Sequence, residues 1–290
     1  MNYRRAKVYF DGSHYIAIPN VEQKTKKKNT PKGTNAQELK VREILQQNKD
    51  KPKREKISTT IETINNEIQD MEKSKMLVNS VLEKEYRNRI VRLTRLYRKA
   101  YLQEWNYFCT FTYDSNKMNE DEFREKLLNC LRHFTNRKGW KYIAVFERSP
   151  EKDRLHFHCL LYIPNMIGEF IEVKDYSTQE HKMQTTIQNS FFLEKFGRND
   201  FQKIYDTKDT ASSIQYMLKY INKTNEKIIY SRHLPTYFIT DILETDVICT
   251  IGQEDRKLLL FDDFLCMDLD TGEILGNVSK EVIASLPKSN

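Results

Sequence analysis

Two histidines separated by one residue, His156 and His158, lie in Leu155-His-Phe-His-Cys-Leu-Leu-Tyr-Ile163, a run of strand length and strand composition. Side chains two apart on a strand project to one face, so both imidazoles are aimed the same way. Upstream, Lys141-Tyr-Ile-Ala-Val-Phe-Glu147 reads as a second strand, joined to the first by the polar segment 148–154. In a simple hairpin Glu147 falls roughly opposite His156 on that same face. Two ring nitrogens and a carboxylate then converge as a facial set with open positions, suited to Mg²⁺ or Mn²⁺ and to a phosphate oxygen. His-x-His in a strand equally describes an exposed or packed pair, so the triplet alone decides little.

A second group of reactive side chains follows in Ile214-Gln-Tyr-Met-Leu-Lys-Tyr-Ile-Asn-Lys223. Tyr216 and Tyr220 are four apart, share one face of a helix, and can reach a single phosphate. Lys219 and Lys223 repeat that spacing, each three residues after a tyrosine, where a fixed positive charge can stabilise a developing phosphorane or a phenolate. Tyrosines at this spacing also serve as core or rim packing.

The elements that must position these residues can be read from periodicity. Tyr107-Phe-Cys-Thr-Phe-Thr-Tyr113 is a strand that puts Thr110 and Thr112 on one face. A helix over 119–136 follows from the stripe Phe123, Leu127, Leu131 and Phe134, and Gly139 ends it. After the two strands above come a helix at 184–196, a strand at 200–205 and a helix at 209–223, with Asp209 or Thr210 as its cap. Strand, helix, strand, strand, helix, strand, helix is the order of a ferredoxin-like α+β sandwich with an antiparallel sheet.

Earlier in the chain, Lys7 to Ile18 reads as a small hairpin around Asp11-Gly12. Apolar periodicity fades from Val21 to Thr59, which reads as a linker with one short helix near 37–47. Residues 60–102 are expected to be mostly helical, since Ile61, Ile64, Ile68, Met71, Val78, Val81, Leu82, Ile90, Leu93 and Tyr97 recur at three- and four-residue steps. After Ile228 the chain reads as short strands with an Asp270-Thr-Gly272 turn. The expected organisation is therefore a basic hairpin and linker over 1–59, a helical extension over 60–102, a catalytic domain over 103–227 and a β-rich extension over 228–290.

Together these segments resemble the HUH replication initiators. The strand Phe108-Cys-Thr-Phe-Thr112, the His156-Phe157-His158 triplet with Glu147 upstream, and Tyr216-x-x-Lys219-Tyr220-x-x-Lys223 are similar to that family's three motifs in order, across roughly residues 95–240. The paired tyrosines are like those of the microvirus and related phage or plasmid initiators. The resemblance implies an α+β, ferredoxin- or RRM-like HUH endonuclease domain with a central antiparallel sheet, preceded by a helical, basic N-terminal extension. It implies that His156, His158 and Glu147 hold Mg²⁺ or Mn²⁺, that Tyr216 or Tyr220 attacks the scissile phosphate with Lys219 and Lys223 assisting, and that rolling-circle replication starts from a 5′-phosphotyrosyl link. Arg92, Arg95 and Arg98 before the first strand, with Thr110 and Thr112 on it, are the residues expected to hold single-stranded DNA at a replication origin. No GxxxxGK[ST] run is present, so a helicase and a polymerase are expected from a bacterial host. A conjugative relaxase or single-strand transposase shares the chemistry, and a non-enzymatic DNA-binding regulator is the rival from another class.

Composition narrows the setting. The net charge of +7 is uneven: residues 1–60 carry 15 Lys+Arg against 6 Asp+Glu, a balance of +9, leaving −2 for the rest. A basic arm of this kind can neutralise phosphates and release counterions, and it also describes a solvated linker. Arg87, Arg89, Arg92, Arg95, Arg98 and Lys99 crowd the end of the helical extension. The five cysteines form no CxxC pair, which argues against a zinc knuckle or a disulfide framework. The N-terminus lacks an apolar leader and no apolar run approaches the roughly 18 residues that span a bilayer. A cytoplasmic protein with no membrane partner is expected.

Overall fold

The structure, a computed structural model, describes residues 2–19, 35–149, 153–177, 181–224, 226–252, 257–269 and 271–289. The chain forms two compact units, one of residues 1–20 with 96–290 and one of residues 21–95. In chain order the elements are β1 (Asn2–Phe10), β2 (Tyr15–Ile18), α1 (Ala36–Gln47), α2 (Lys53–Ile68), α3 (Met71–Tyr101), β3 (Tyr107–Thr112), α4 (Glu120–Lys138), β4 (Lys141–Arg148) and β5 (Leu155–Tyr162). There follow β6 (Phe170–Ser177), β7 (Lys182–Asn189), α5 (Ser190–Lys195), β8 (Asn199–Lys203), α6 (Thr207–Thr224), β9 (Ile229–Tyr230), β10 (Tyr237–Leu243), β11 (Val247–Ile251), β12 (Lys257–Leu260), β13 (Leu265–Met267), β14 (Ile274–Asn277), α7 (Lys280–Ser285) and β15 (Lys288–Ser289). Among the described residues no helix is long and apolar enough to cross a membrane.

In the smaller unit, α1 and α2 pack with the first half of α3 around Val41, Ile44, Leu45, Ile64, Val78 and Val81. The linker expected to run to Thr59 already turns helical at Lys53. Pro52 sits at the helix N-cap, where a missing N–H costs nothing, and Ile57 and Ile61 join the core. The part of the expected linker over 20–34 lies outside the described residues.

The larger unit is α+β and holds two principal sheets. The first is antiparallel in the order β8-β3-β5-β4-β9. Its first four strands follow the ferredoxin-like arrangement: the first strand lies inside, paired by the third and the fourth, and the second lies outside the third. Strand alternation divides the side chains between the two faces. Cys109, Phe111, Tyr142, Ala144, Phe146, Phe157, Cys159 and Leu161 meet the expected stripe of α4 and Phe192 from α5. Phe108, Ile143, Val145 and Leu160 on the other face meet Ile214, Met217 and Ile221 of α6. The start of α4 carries a full capping box between Asn119 and Glu122, and Gly139 closes it in the left-handed region at φ 70°.

One expected element is overturned. Residues 184–189 are strand, not helix: β7 pairs along its whole length with β6, from Phe170 opposite Asn189 to Ser177 opposite Lys182. Only 190–195 is helical. Thr185, Thr186 and Ile187 are β-branched and stiff at χ1, which favours the ladder. The Asn189 side chain then accepts from the Phe192 N–H and starts the short helix. The cap of α6 also differs from expectation: Asp206 accepts from the Asp209 N–H at 2.8 Å, one turn ahead of the expected Asp209 or Thr210.

The expected N-terminal hairpin forms, with Phe10 opposite Tyr15 and the Asp11 carboxylate accepting from the Ser13 and His14 amides at 2.9 Å each. It does not stand alone. β1 pairs with β10 and β2 with β12, in a sheet ordered β11-β12-β2-β1-β10-β15. The hairpin thus completes the C-terminal β-region, around Ala6, Val8, Ala17, Phe238, Ile242, Leu260 and Phe264. Gly12 has φ 101°, and a Cβ there would run into the Tyr101 ring, so both the turn and the close approach require glycine. Of the expected Asp270-Thr-Gly272 turn, Asp270 lies outside the described residues, while Gly272 sits between β13 and β14 at φ 73°.

Candidate active site

Three adjacent strands of the first sheet supply the polar centre. Glu147 on β4 is directly opposite His156 on β5, the register expected from a plain hairpin. On the other side of β5, Thr112 faces His156 and Thr110 faces His158. Alternation puts all five side chains on the face that α6 covers. Both threonine hydroxyls reach an Nδ1 atom: Thr112 Oγ1 lies 2.8 Å from His156 Nδ1 and Thr110 Oγ1 3.0 Å from His158 Nδ1. Each imidazole is therefore held at Nδ1, with Nε2 left to face the site. His158 Nε2 lies 2.7 Å from Glu147 Oε2, in a pair where both groups are buried. Burial, reinforced by repulsion from His158, holds the His156 imidazole down at about 4, so it is neutral near pH 7 and its nitrogen lone pair is available.

The α6 helix brings the two tyrosines onto this centre. The Tyr220 ring stacks on the His158 imidazole at 5.3 Å and 11°, and the Tyr216 ring meets it edge-on at 5.1 Å and 77°. The two phenol rings lie 5.0 Å apart, and the Tyr220 hydroxyl donates to the Tyr216 oxygen. Phe108 closes the far side of Tyr216 at 5.7 Å. Burial raises the ionisation of both phenols. For Tyr216 the bond from Tyr220 opposes that rise; for Tyr220 the same bond and the charge of Glu147 add to it. Within the pair, Tyr216 is thus the phenol whose ionised form is better supported. Lys219 is exposed, with Nζ 5.9 Å from the centre of the Tyr216 ring. The side chain of Lys223 lies outside the described residues.

The donor set has the chemistry of a divalent-cation site, two imidazoles and a carboxylate with threonines behind the imidazoles. Two donors at right angles on one octahedral ion, each at about 2.1 Å, lie about 3.0 Å apart. The 2.7 Å between His158 Nε2 and Glu147 Oε2 is close to that separation. Here, however, Glu147 is turned onto His158 and the two imidazole centroids are 6.2 Å apart. Accordingly, among the described residues no three His, Cys, Asp or Glu side chains already stand in metal-holding geometry. Ligation through Nε2 requires the proton on Nδ1, which a threonine oxygen can accept as readily as its hydroxyl can donate.

The residues expected to grip DNA divide differently. Thr110 and Thr112 are engaged with the histidines and position them. Arg98 is laid over the Tyr9 ring at 3.7 Å, on the N-terminal strand. Arg92 and Arg95 belong to the smaller unit, with Arg95 exposed. Residues not anticipated from the sequence stand next to His156 instead. Arg154 and Arg198 both act on its charge, and with Tyr113 and Lys117 they line a groove of about 450 Å³ at the end of β3. Arg154 donates to the Tyr113 carbonyl at 2.6 Å. Its place two residues before His156 was the available signal; Arg198 reaches the site only through the β3–β8 pairing.

Residues 106–225 match a family model of replication-associated proteins, the ORF2 group. The match runs from the residue before β3 to the residue after α6, so it contains every side chain of this centre and ties the segment to DNA replication. No curated protein and no solved structure matches the chain.

Proposed function

We propose that this chain is an HUH-type DNA strand transferase that nicks one strand through a tyrosine, keeps the 5′ end as a phosphotyrosyl ester, and so starts rolling-circle replication. The observation that carries the reading is the meeting of Tyr216 and Tyr220 on the imidazole of His158, itself bonded to Glu147, within the replication-associated segment. A divalent cation, Mg²⁺ or Mn²⁺, held by His156, His158 and Glu147 would draw electron density from a non-bridging oxygen of the scissile phosphate and offset the carboxylate charge that opposes phenol ionisation.

The chain's own groups account for the rest. Thr110 and Thr112 fix the imidazoles, and Tyr220, by donating to Tyr216, favours Tyr216 as the first nucleophile. Its phenol oxygen bonds to phosphorus as the 3′ oxygen leaves. The proton given up by the phenol is matched by the one the 3′ oxygen takes up, and the ester conserves the phosphodiester bond energy. Lys219 places positive charge beside that phenol, and Lys223 is assigned the same role beside Tyr220. The free 3′-OH is the primer for a host polymerase on a template opened by a host helicase. Tyr220 then serves as the second phenol, cutting the regenerated origin so that the released 3′-OH can rejoin the held 5′ end.

The test is incubation of the full chain with Mn²⁺ and single-stranded oligonucleotides of candidate origin sequence, followed by a denaturing gel. A covalent protein–oligonucleotide band is expected from the wild type and none from Tyr216→Phe/Tyr220→Phe. A band of equal strength in the double variant would place the nucleophile elsewhere.

A further inference from the structure

The arginine-rich stretch of α3 takes no part in the centre just described. Lys84 and Glu85 still reach Glu38 and Arg42 on α1, but from Tyr86 to Val91 every residue is exposed. From Tyr86 to Arg95 the helix carries Arg87, Arg89, Arg92 and Arg95 and no acidic residue. A helix in a globular protein normally hides one face, and this one presents arginines together with exposed Tyr86, Ile90 and Val91.

We infer that residues 86–95 of α3 are a docking surface for duplex DNA, entering a groove between two phosphate backbones. At about 100° per residue the four arginines are spread over about 200° of the helix circumference, a spiral rather than a stripe. Cations on two sides suit the two walls of a major groove about 12 Å wide, which admits one α-helix and offers thymine methyls to apolar side chains. A flat anionic surface would need the charge on one side. Val91 falls among the arginines, so the helix lacks the segregated apolar face with which a helix lies in a lipid surface. Single strands are held by stacking platforms, and only Tyr86 could serve here. The inference draws on the strand-transfer reading only for the identity of the polyanion; a nickase needs purchase on the duplex flanking the strand it cuts.

The experiment is fluorescence anisotropy of the full chain, without divalent metal, on a labelled duplex of arbitrary sequence, on one of its strands, and on vesicles containing phosphatidylserine, across a salt series. Arg87→Gln/Arg89→Gln/Arg95→Gln removes three charges at exposed positions and keeps helix propensity. On duplex the slope of log affinity against log salt should flatten by about 2–3, which is about 100-fold weaker binding at 0.15 M salt. The same three positions changed to Lys should restore most of the slope, which a packing defect would not allow. An unchanged duplex slope, failure of the Lys variant to recover it, or an effect confined to vesicles or to the single strand overturns the inference. Adduct formation by the wild type is read separately, so loss of the nicking account and loss of this one remain distinguishable.

Discussion

Replacing Thr110 by Val probes how the histidines are held. Valine keeps the shape and β-branching of threonine and fits the central strand. It removes the oxygen that lies 3.0 Å from His158 Nδ1. Because His158 is only 3% exposed, Nδ1 is left without a partner in the interior, a cost of about 1–3 kcal/mol in stability. The larger consequence is for metal. With Nδ1 untethered, the imidazole loses its orientation and its preferred tautomer, and loss of such a partner weakens metal affinity or activity by about 10–100-fold, or about 1.4–2.7 kcal/mol. The assay is the rate of adduct formation against Mn²⁺ concentration, with urea unfolding measured in parallel. The half-saturating Mn²⁺ should rise by that factor while the oligonucleotide concentration dependence stays close to wild type. If metal dependence is unchanged and only oligonucleotide affinity falls, Thr110 grips DNA and the positioning argument is refuted.

Three further outcomes follow from the geometry. Tyr220→Phe deletes the hydroxyl that supports the Tyr216 phenolate, so the alkaline rise of Tyr216 adduct formation should move up by roughly 0.5–1 pH, the equivalent of a neutral hydrogen bond; no movement would mean the two phenols act independently. The His156 imidazole is held at about 4 in the fold against about 6.5 unfolded, so as pH falls through that window the unfolded chain takes up a proton first and stability declines; His156→Gln should flatten the urea midpoint between pH 6.5 and 4, and an identical profile would show that the histidine is not responsible. Gly12→Ala meets both a positive φ and the Tyr101 ring, and should cost about 1–3 kcal/mol, seen as a lower thermal midpoint; an unchanged midpoint would show that the turn relaxes freely.

Much of the centre was legible because its logic is local. Alternation and a short hairpin place Glu147 opposite His156, and helical spacing places Tyr216 and Tyr220 on one face. What escaped depends on pairings between distant segments. That Thr110 and Thr112 serve the histidines follows from the β3–β5 register, which no short window contains. Arg98 reads as a DNA contact until Tyr9, from the far end of the chain, is found beneath it. The segment 184–189 has apolar residues spaced as in a helix, and its true state is set by β6, which supplies the ladder. The N-terminal hairpin was visible as a hairpin, but its place in the C-terminal sheet is a matter of non-local pairing that composition does not encode.

The central claim is that a phenol on α6 attacks a phosphate held at the face bearing His156, His158 and Glu147. Mapping the covalent adduct by proteolysis and mass spectrometry, after reaction of the full chain with a single-stranded oligonucleotide and Mn²⁺, tests it most directly. The account predicts a 5′-phosphoryl nucleotide on Tyr216, moving to Tyr220 when Tyr216 is Phe and vanishing when His158 is Ala. A nucleotide on any side chain outside α6, or an adduct that forms at the wild-type rate in His158→Ala, would contradict it.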